Sequence, residues 1–188
     1  MILRPPTQSG VFFPMIKYVP QLTSIVLEEI PDRVSLAVEI SHCRGNCPGC
    51  HSPFLKEDIG EELTPAIIDA LVRDNFGVDC FLFLGEGRDP RSWCSLADHV
   101  RSLGLAPAVY SGRPEVDDAI WAAFDYVKVG PYVEELGPLN KTTTNQRLYR
   151  AIPDGIDAPA GSEVSLHAGR RFADITARFW HRGLEASR

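Results

Sequence analysis

A chain of 188 residues with 44% hydrophobic residues suits one domain that buries its own core. Its net charge of -6 argues against a general nucleic-acid or membrane-surface binder. No apolar run approaches the length of a membrane span. Five cysteines with no secretory signal ahead of them fit a cytoplasmic protein whose thiols stay reduced.

No internal repeat is present. Residues 1–16 read as a loose N-terminal arm broken by Pro5, Pro6 and Pro14, with Met15 as an alternative start. "SIVLEEIP" and "RVSLAVEIS" read as two strands around a turn near Pro31 and Asp32. "LTPAIIDALVRDNF" predicts a helix. Thr64 is its N-cap, Pro65 its first position, and Ile67, Ile68, Leu71 and Val72 its apolar face. "CFLFLG" is a continuous apolar run, as in a buried parallel strand. "RSWCSLADHVRSLG" is a helix ended by Gly104, "APAVYSG" another core strand, "PEVDDAIWAAF" a short helix from Pro114, and "DYVKVG" a further core strand. The order β-α-β-α-β-α-β with short connections predicts a parallel α/β sheet. From residue 131 the pattern dissolves into a polar stretch rich in Gly, Pro and Thr, a long functional loop or an extended wrap over the sheet. The tail "AGRRFADITARFWHRGLEASR" predicts one more helix, with Phe172, Ile175 and Phe179 on its buried face. His99 and His167 read as surface residues, and Cys80 and Cys94 as small core hydrophobes.

"ISHCRGNCPGCHSP" gathers Cys43, Cys47 and Cys50 between His42 and His51. Such clustering in a reducing compartment points to metal or redox chemistry. A zinc site completed by His42 or His51 is one reading. An iron–sulfur cluster with three cysteine ligands and one open iron is the other, since four cysteines are the ordinary set. The loop follows a strand of the α/β array, where ligand sites gather at the carboxyl ends, and this favours the cluster. Gly45 and Gly49 allow the backbone to wrap closely.

Cys-x3-Cys-x2-Cys in that position resembles the radical S-adenosylmethionine enzymes. "VSLAVEISHCRGNCPGCHSPFLKEDIGEELT", "VYSGR", "FDYVKVGPYVEELGPLN" and "TTNQRLY" look like the activating proteins of anaerobic (class III) ribonucleoside-triphosphate reductases. The resemblance implies an α/β fold, an incomplete (β/α) radical-SAM-type barrel with mostly parallel strands. It spans residues 17–151, leaving 152–188 as an extension. It implies a [4Fe–4S] cluster on Cys43, Cys47 and Cys50 that binds S-adenosylmethionine at its open iron. Reductive cleavage would give a 5′-deoxyadenosyl radical that takes hydrogen from a glycine of the reductase. The partners would be that reductase and a low-potential electron donor such as flavodoxin or ferredoxin.

On the same resemblance, Gly49, Cys50 and His51 border the cofactor, with His51 near the adenine. Gly85, Glu86 and Gly87 occupy the place of the family's Gly-Gly motif, which contacts the cofactor's amino group; Glu86 stands where a second glycine is expected. The Ser111 hydroxyl suits the cofactor's carboxylate or ribose, or a cap on the helix expected from Pro114. Lys128, inside an apolar strand, calls for an anionic partner, and the cofactor's carboxylate would serve. Residues 131–149 would border the open face and help dock the reductase's glycine loop. Two rival readings are a radical S-adenosylmethionine enzyme acting on another substrate and a non-catalytic zinc-binding interaction module.

Overall fold

The computed structural model describes residues 16–45 and 47–180. The expected N-terminal arm, the start at Met15 and the last part of the expected tail helix lie outside them, save Ile16, which is buried. The chain opens with β1 (Lys17–Tyr18) and β2 (Ser24–Val26). It then turns through Asp32, at φ 62°, into β3 (Ser35–Glu39). The cysteine loop follows, and then β4 (Glu61–Glu62), which pairs back with β1. Next come α1 (Pro65–Asp74), β5 (Cys80–Leu84), α2 (Pro90–Ser102), β6 (Ala106–Tyr110), α3 (Asp118–Ala123) and β7 (Tyr126–Val129). The chain continues with β8 (Arg147–Ile152), β9 (Val164–His167) and β10 (Arg170–Asp174).

Local chemistry explains most of these elements. The Thr64 hydroxyl accepts from the Ile67 amide at 3.3 Å, closing an orphan donor at the start of α1. Asp89 does the same for α2, accepting from the Arg91 and Ser92 amides. The first four residues of β3 and of β5 are buried, as expected of strands covered on both faces.

Eight strands form one mixed sheet in the order β2-β3-β5-β6-β7-β8-β10-β9. β3, β5, β6 and β7 run parallel, and the outer pairings are antiparallel. β2 and β9 stand at opposite edges, so the sheet does not close on itself. α1, α2 and α3 pack on one face, where Phe81, Phe83, Trp93, Phe124 and Phe172 form the larger core. The other face carries a smaller core around Leu82, Tyr126, Leu148 and Ile152, covered by Ile30, Ile175 and Phe179. No helix of the described residues is long and apolar enough to cross a membrane.

Two helix expectations are corrected. The helix expected from Pro114 begins only at Asp118. The chain before it is held open instead: the Arg113 amide donates to Ser111 Oγ at 3.1 Å, and the Arg113 carbonyl accepts from the Gly130 amide at 2.7 Å. The tail is not a helix at 170–174 but the strand β10. Ala168 and Gly169, at φ 47° and 77°, make the two-residue turn that joins it to β9. The expected helical face also splits. Phe172 enters the core under the helices, whereas Ile175 and Phe179 enter the one on the opposite face. Among the described residues of the tail, helical structure appears only at 177–180. The boundary expected at 151/152 falls inside β8, and the extension completes the sheet. His167 is half-buried and stacks on Trp121 at 3.8 Å; His99 is half-buried and meets Asp69 at 2.7 Å.

Candidate functional site

The parallel register sets Glu39 beside Leu84, Leu84 beside Tyr110, and Tyr110 beside Lys128. These four side chains form one row at the carboxyl ends of β3, β5, β6 and β7. They floor a cavity of about 350 Å³ whose wall is the cysteine loop. Cys43, Cys47 and Cys50 all face it, with His51, Gly85 and Ser111. The structure therefore brings together most of the residues singled out in sequence.

The loop is fixed by its backbone. The His42 and Cys43 amides donate to the carbonyls of Glu57 and Leu55, each at 2.9 Å, and the Arg44 amide donates to the Glu86 carbonyl at 2.9 Å. The Ser41 hydroxyl donates to the Ile59 carbonyl at 2.6 Å. All five cysteines are free thiols. The Gly45 amide donates to Cys43 Sγ at 3.3 Å. Glycine is needed around the sulfurs. A Cβ on Gly112 would stand 2.5 Å from Cys47 Sγ, and one on Gly45 3.3 Å from Cys43 Sγ.

Three thiols lining one wall have the donor chemistry to hold a sulfur-ligated metal group. Among the described residues, no group of three or more His, Cys, Asp or Glu side chains is arranged to hold a metal ion. His42 does not face the cavity, and His51 meets the Tyr132 ring edge-on at 5.2 Å.

Lys128 is buried, and its ammonium donates to the Gly130 carbonyl at 2.7 Å and the Ser111 carbonyl at 3.5 Å. It makes no ion pair among the described residues. Burial pulls its pKa down to about 8, with the Cys47 and Glu29 charges opposing the fall. Two carboxyls that sequence reasoning passed over, Glu29 and Glu39, line the same cavity. Burial raises the pKa of both; for Glu39 the Glu29 charge adds to the effect, whereas Tyr110 and Lys128 restrain the rise at Glu29. Glu39 had a signal equal to that of Lys128, a charge within an apolar strand. Glu29, in "LEEIP", had none.

Three sequence-selected residues lie elsewhere. Glu86 is 2% exposed, and its carboxylate is committed. It accepts from Ser111 Oγ at 2.5 Å and Arg113 Nη1 at 2.7 Å, with Arg44 Nη1 at 3.6 Å. A carboxylate this buried needs such partners, so Glu86 binds the ends of β5 and β6 to the cysteine loop and does not face the cavity. Gly87 packs against Trp93, where a Cβ would fall 2.8 Å from Nε1. Gly49 packs against Tyr132, where a Cβ would meet the ring at 2.9 Å.

Comparison of the chain with models of known families, with curated proteins and with solved structures finds no match.

Proposed function

We propose that the protein is a radical S-adenosylmethionine activating enzyme that installs a glycyl radical on an anaerobic ribonucleoside-triphosphate reductase. One observation carries this reading: Cys43, Cys47 and Cys50 share a single cavity with Lys128 and Glu39 at the carboxyl ends of four parallel strands. The single-faced helix layer supports it too, because sequential parallel strands with helices on one side are the layout of an incomplete (β/α) barrel.

Cys43, Cys47 and Cys50 would hold the [4Fe–4S] cluster, which when bound supplies one-electron reductive cleavage of S-adenosylmethionine. This chain's part is positioning. The Lys128 ammonium suits the cofactor's carboxylate, and Glu29 and Glu39 suit its ammonium, so the floor is complementary to an amino-acid zwitterion. Glu86, held by Arg113 and Ser111, keeps the loop in place instead of meeting the ligand.

A protein substrate fits the surroundings. A second cavity of about 440 Å³ borders the first and shares Glu29 with it; Leu139, Lys141 and Phe179 line it. Within the stretch expected to dock the reductase, residues 140–143 are exposed, whereas Thr144 and Gln146 are buried, which confines the docking role to the exposed part.

The test is anaerobic reconstitution with iron and sulfide, followed by S-adenosylmethionine and dithionite. The protein should turn brown and release 5′-deoxyadenosine, and a glycyl radical should appear on the reductase by electron paramagnetic resonance. Cys43→Ala, Cys47→Ala and Cys50→Ala should each lose iron and cleavage, while Cys80→Ala, in the core, should keep both. A colourless protein holding one zinc would sink the proposal. Cleavage without a radical on the reductase would point to another substrate.

A further inference from the structure

The smaller core's face has a second end, at the amino ends of β6 and β7, and it carries a cavity of about 380 Å³ that shares no lining residue with the cysteine cavity. Four of the chain's nineteen lysines and arginines line it: Arg33, Arg150, Arg170 and Arg171. In a chain of net charge -6 that is a local reversal of sign.

The four guanidinium groups are not equivalent. Arg170 is structural: it donates to the carbonyls of Trp121, Ala122 and Phe124 and pairs with Asp125 at 2.9 Å. Arg33 donates to Asp79 at 3.0 Å and, through Nε, to the Tyr126 hydroxyl at 3.2 Å. Arg150 has no hydrogen bond or ion pair among the described residues. Among the described residues Arg171 reaches only the Ile156 carbonyl, at 3.4 Å. The register puts both on one face: Arg150 stands opposite Tyr126 and Ala173, and Arg171 opposite Ile152. Diagonal neighbours of like charge on a sheet repel unless an anion sits between them. Tyr126 is 3% exposed, and its hydroxyl accepts from Arg33, so its own proton has no acceptor among the described residues. Two carboxylates oppose this charge. Asp125 is already shared by Arg101 and Arg170, and Asp154 stands exposed at the rim.

We propose that this cavity is a binding site for a soluble phosphate ester or pyrophosphate, held by Arg150 and Arg171 with the Tyr126 hydroxyl and Arg33 behind them. Guanidinium forks match tetrahedral oxyanions in two-point contacts. A doubly charged oxyanion uses several such donors at once, where a lone carboxylate would leave some unmatched. The cavity exceeds one phosphate, and Ile152 and Ala106 offer its remainder an apolar wall.

The test is calorimetric titration of the full chain with pyrophosphate, and separately with inorganic phosphate, at ionic strength fixed by sodium chloride. Saturable one-to-one binding of at least one probe is expected, weakened at least tenfold in Arg150→Gln and in Arg171→Gln. The probe should raise the melting temperature of the parent and not of the double variant. Arg150→Lys, which keeps the charge without the fork, should recover only part of the affinity. Binding should survive the triple alanine variant of Cys43, Cys47 and Cys50, which separates this site from the cysteine cavity. Should the double variant fail to fold, Tyr126→Phe removes a single hydroxyl and must also weaken binding. No saturable binding of either probe, or unchanged affinity in these variants, overturns the proposal.

Discussion

At Gly112 the absence of one methyl group decides how close the backbone can come to Cys47. Its φ lies outside the left-handed region, so the backbone tolerates alanine and only the sulfur objects, at 2.5 Å. Gly45 has the milder version of that contact, 3.3 Å from Cys43 Sγ. Gly112→Ala should therefore reduce iron per chain after reconstitution more than Gly45→Ala, by about half or more against a smaller loss. Equal loading in both would mean that the loop shifts freely. Glu39 makes a different point. Burial raises its pKa above that of the unfolded chain, so ionisation favours unfolding. Any benefit is whole below the ordinary carboxyl value of 4.5 and is lost as pH climbs through the raised one. Glu39→Gln should accordingly melt at a higher temperature than the parent at pH 7.5, with the gap narrowing toward pH 5. It should also bind S-adenosylmethionine more weakly, because losing a charge-assisted contact costs about 1.5–3 kcal/mol, or roughly 10- to 150-fold. A lower melting temperature at pH 7.5 would show that the carboxylate has a stabilising partner.

Among the elements, the cysteine loop depends on its neighbours as much as on itself. Glu86 at the end of β5 holds Ser111 and Arg113 at the end of β6, and Arg44 within the loop. Glu86→Gln leaves the arginines without their buried counter-charge and should destabilise the fold by about 1–3 kcal/mol in urea unfolding. Iron loading should fall less than in the cysteine variants, since no ligand is removed. An unchanged urea midpoint would mark the network as energetically idle. The helix from Thr64 was legible because cap, proline and apolar stripe agree at every level. The strand β10 was not. Its Phe172 and the following Ile175 and Phe179 imitate a helical spacing, and only pairing with β8 and β9 sends them to opposite faces.

For the whole molecule, the question is what the last third of the chain contributes. β10 pairs with β8 over four positions and brings in Phe172, Ala173, Ile175 and Phe179, all buried. A chain ending at residue 151 would strip that cover from Leu148 and Tyr126. Truncating a single buried phenylalanine costs about 3–5 kcal/mol, a large share of a domain's stability. The shortened chain should show no cooperative thermal transition, and a sharp one would prove residues 152–188 dispensable. Sequence by itself determined the local features. The alternation of strands and helices through β7, the Thr64 cap, the cysteine spacing and the oddity of Lys128 were readable there, because each follows from the chemistry of neighbouring residues. Tertiary structure alone decided what distant segments do to one another. It turned Glu86 from a ligand-facing group into a brace, since Arg113 and Ser111 become its neighbours only when β5 and β6 lie side by side. It set Glu29 beside the cysteines, and it aligned Arg150 with Arg171 across a strand pair whose pattern in the chain reads as a polar loop and a helix.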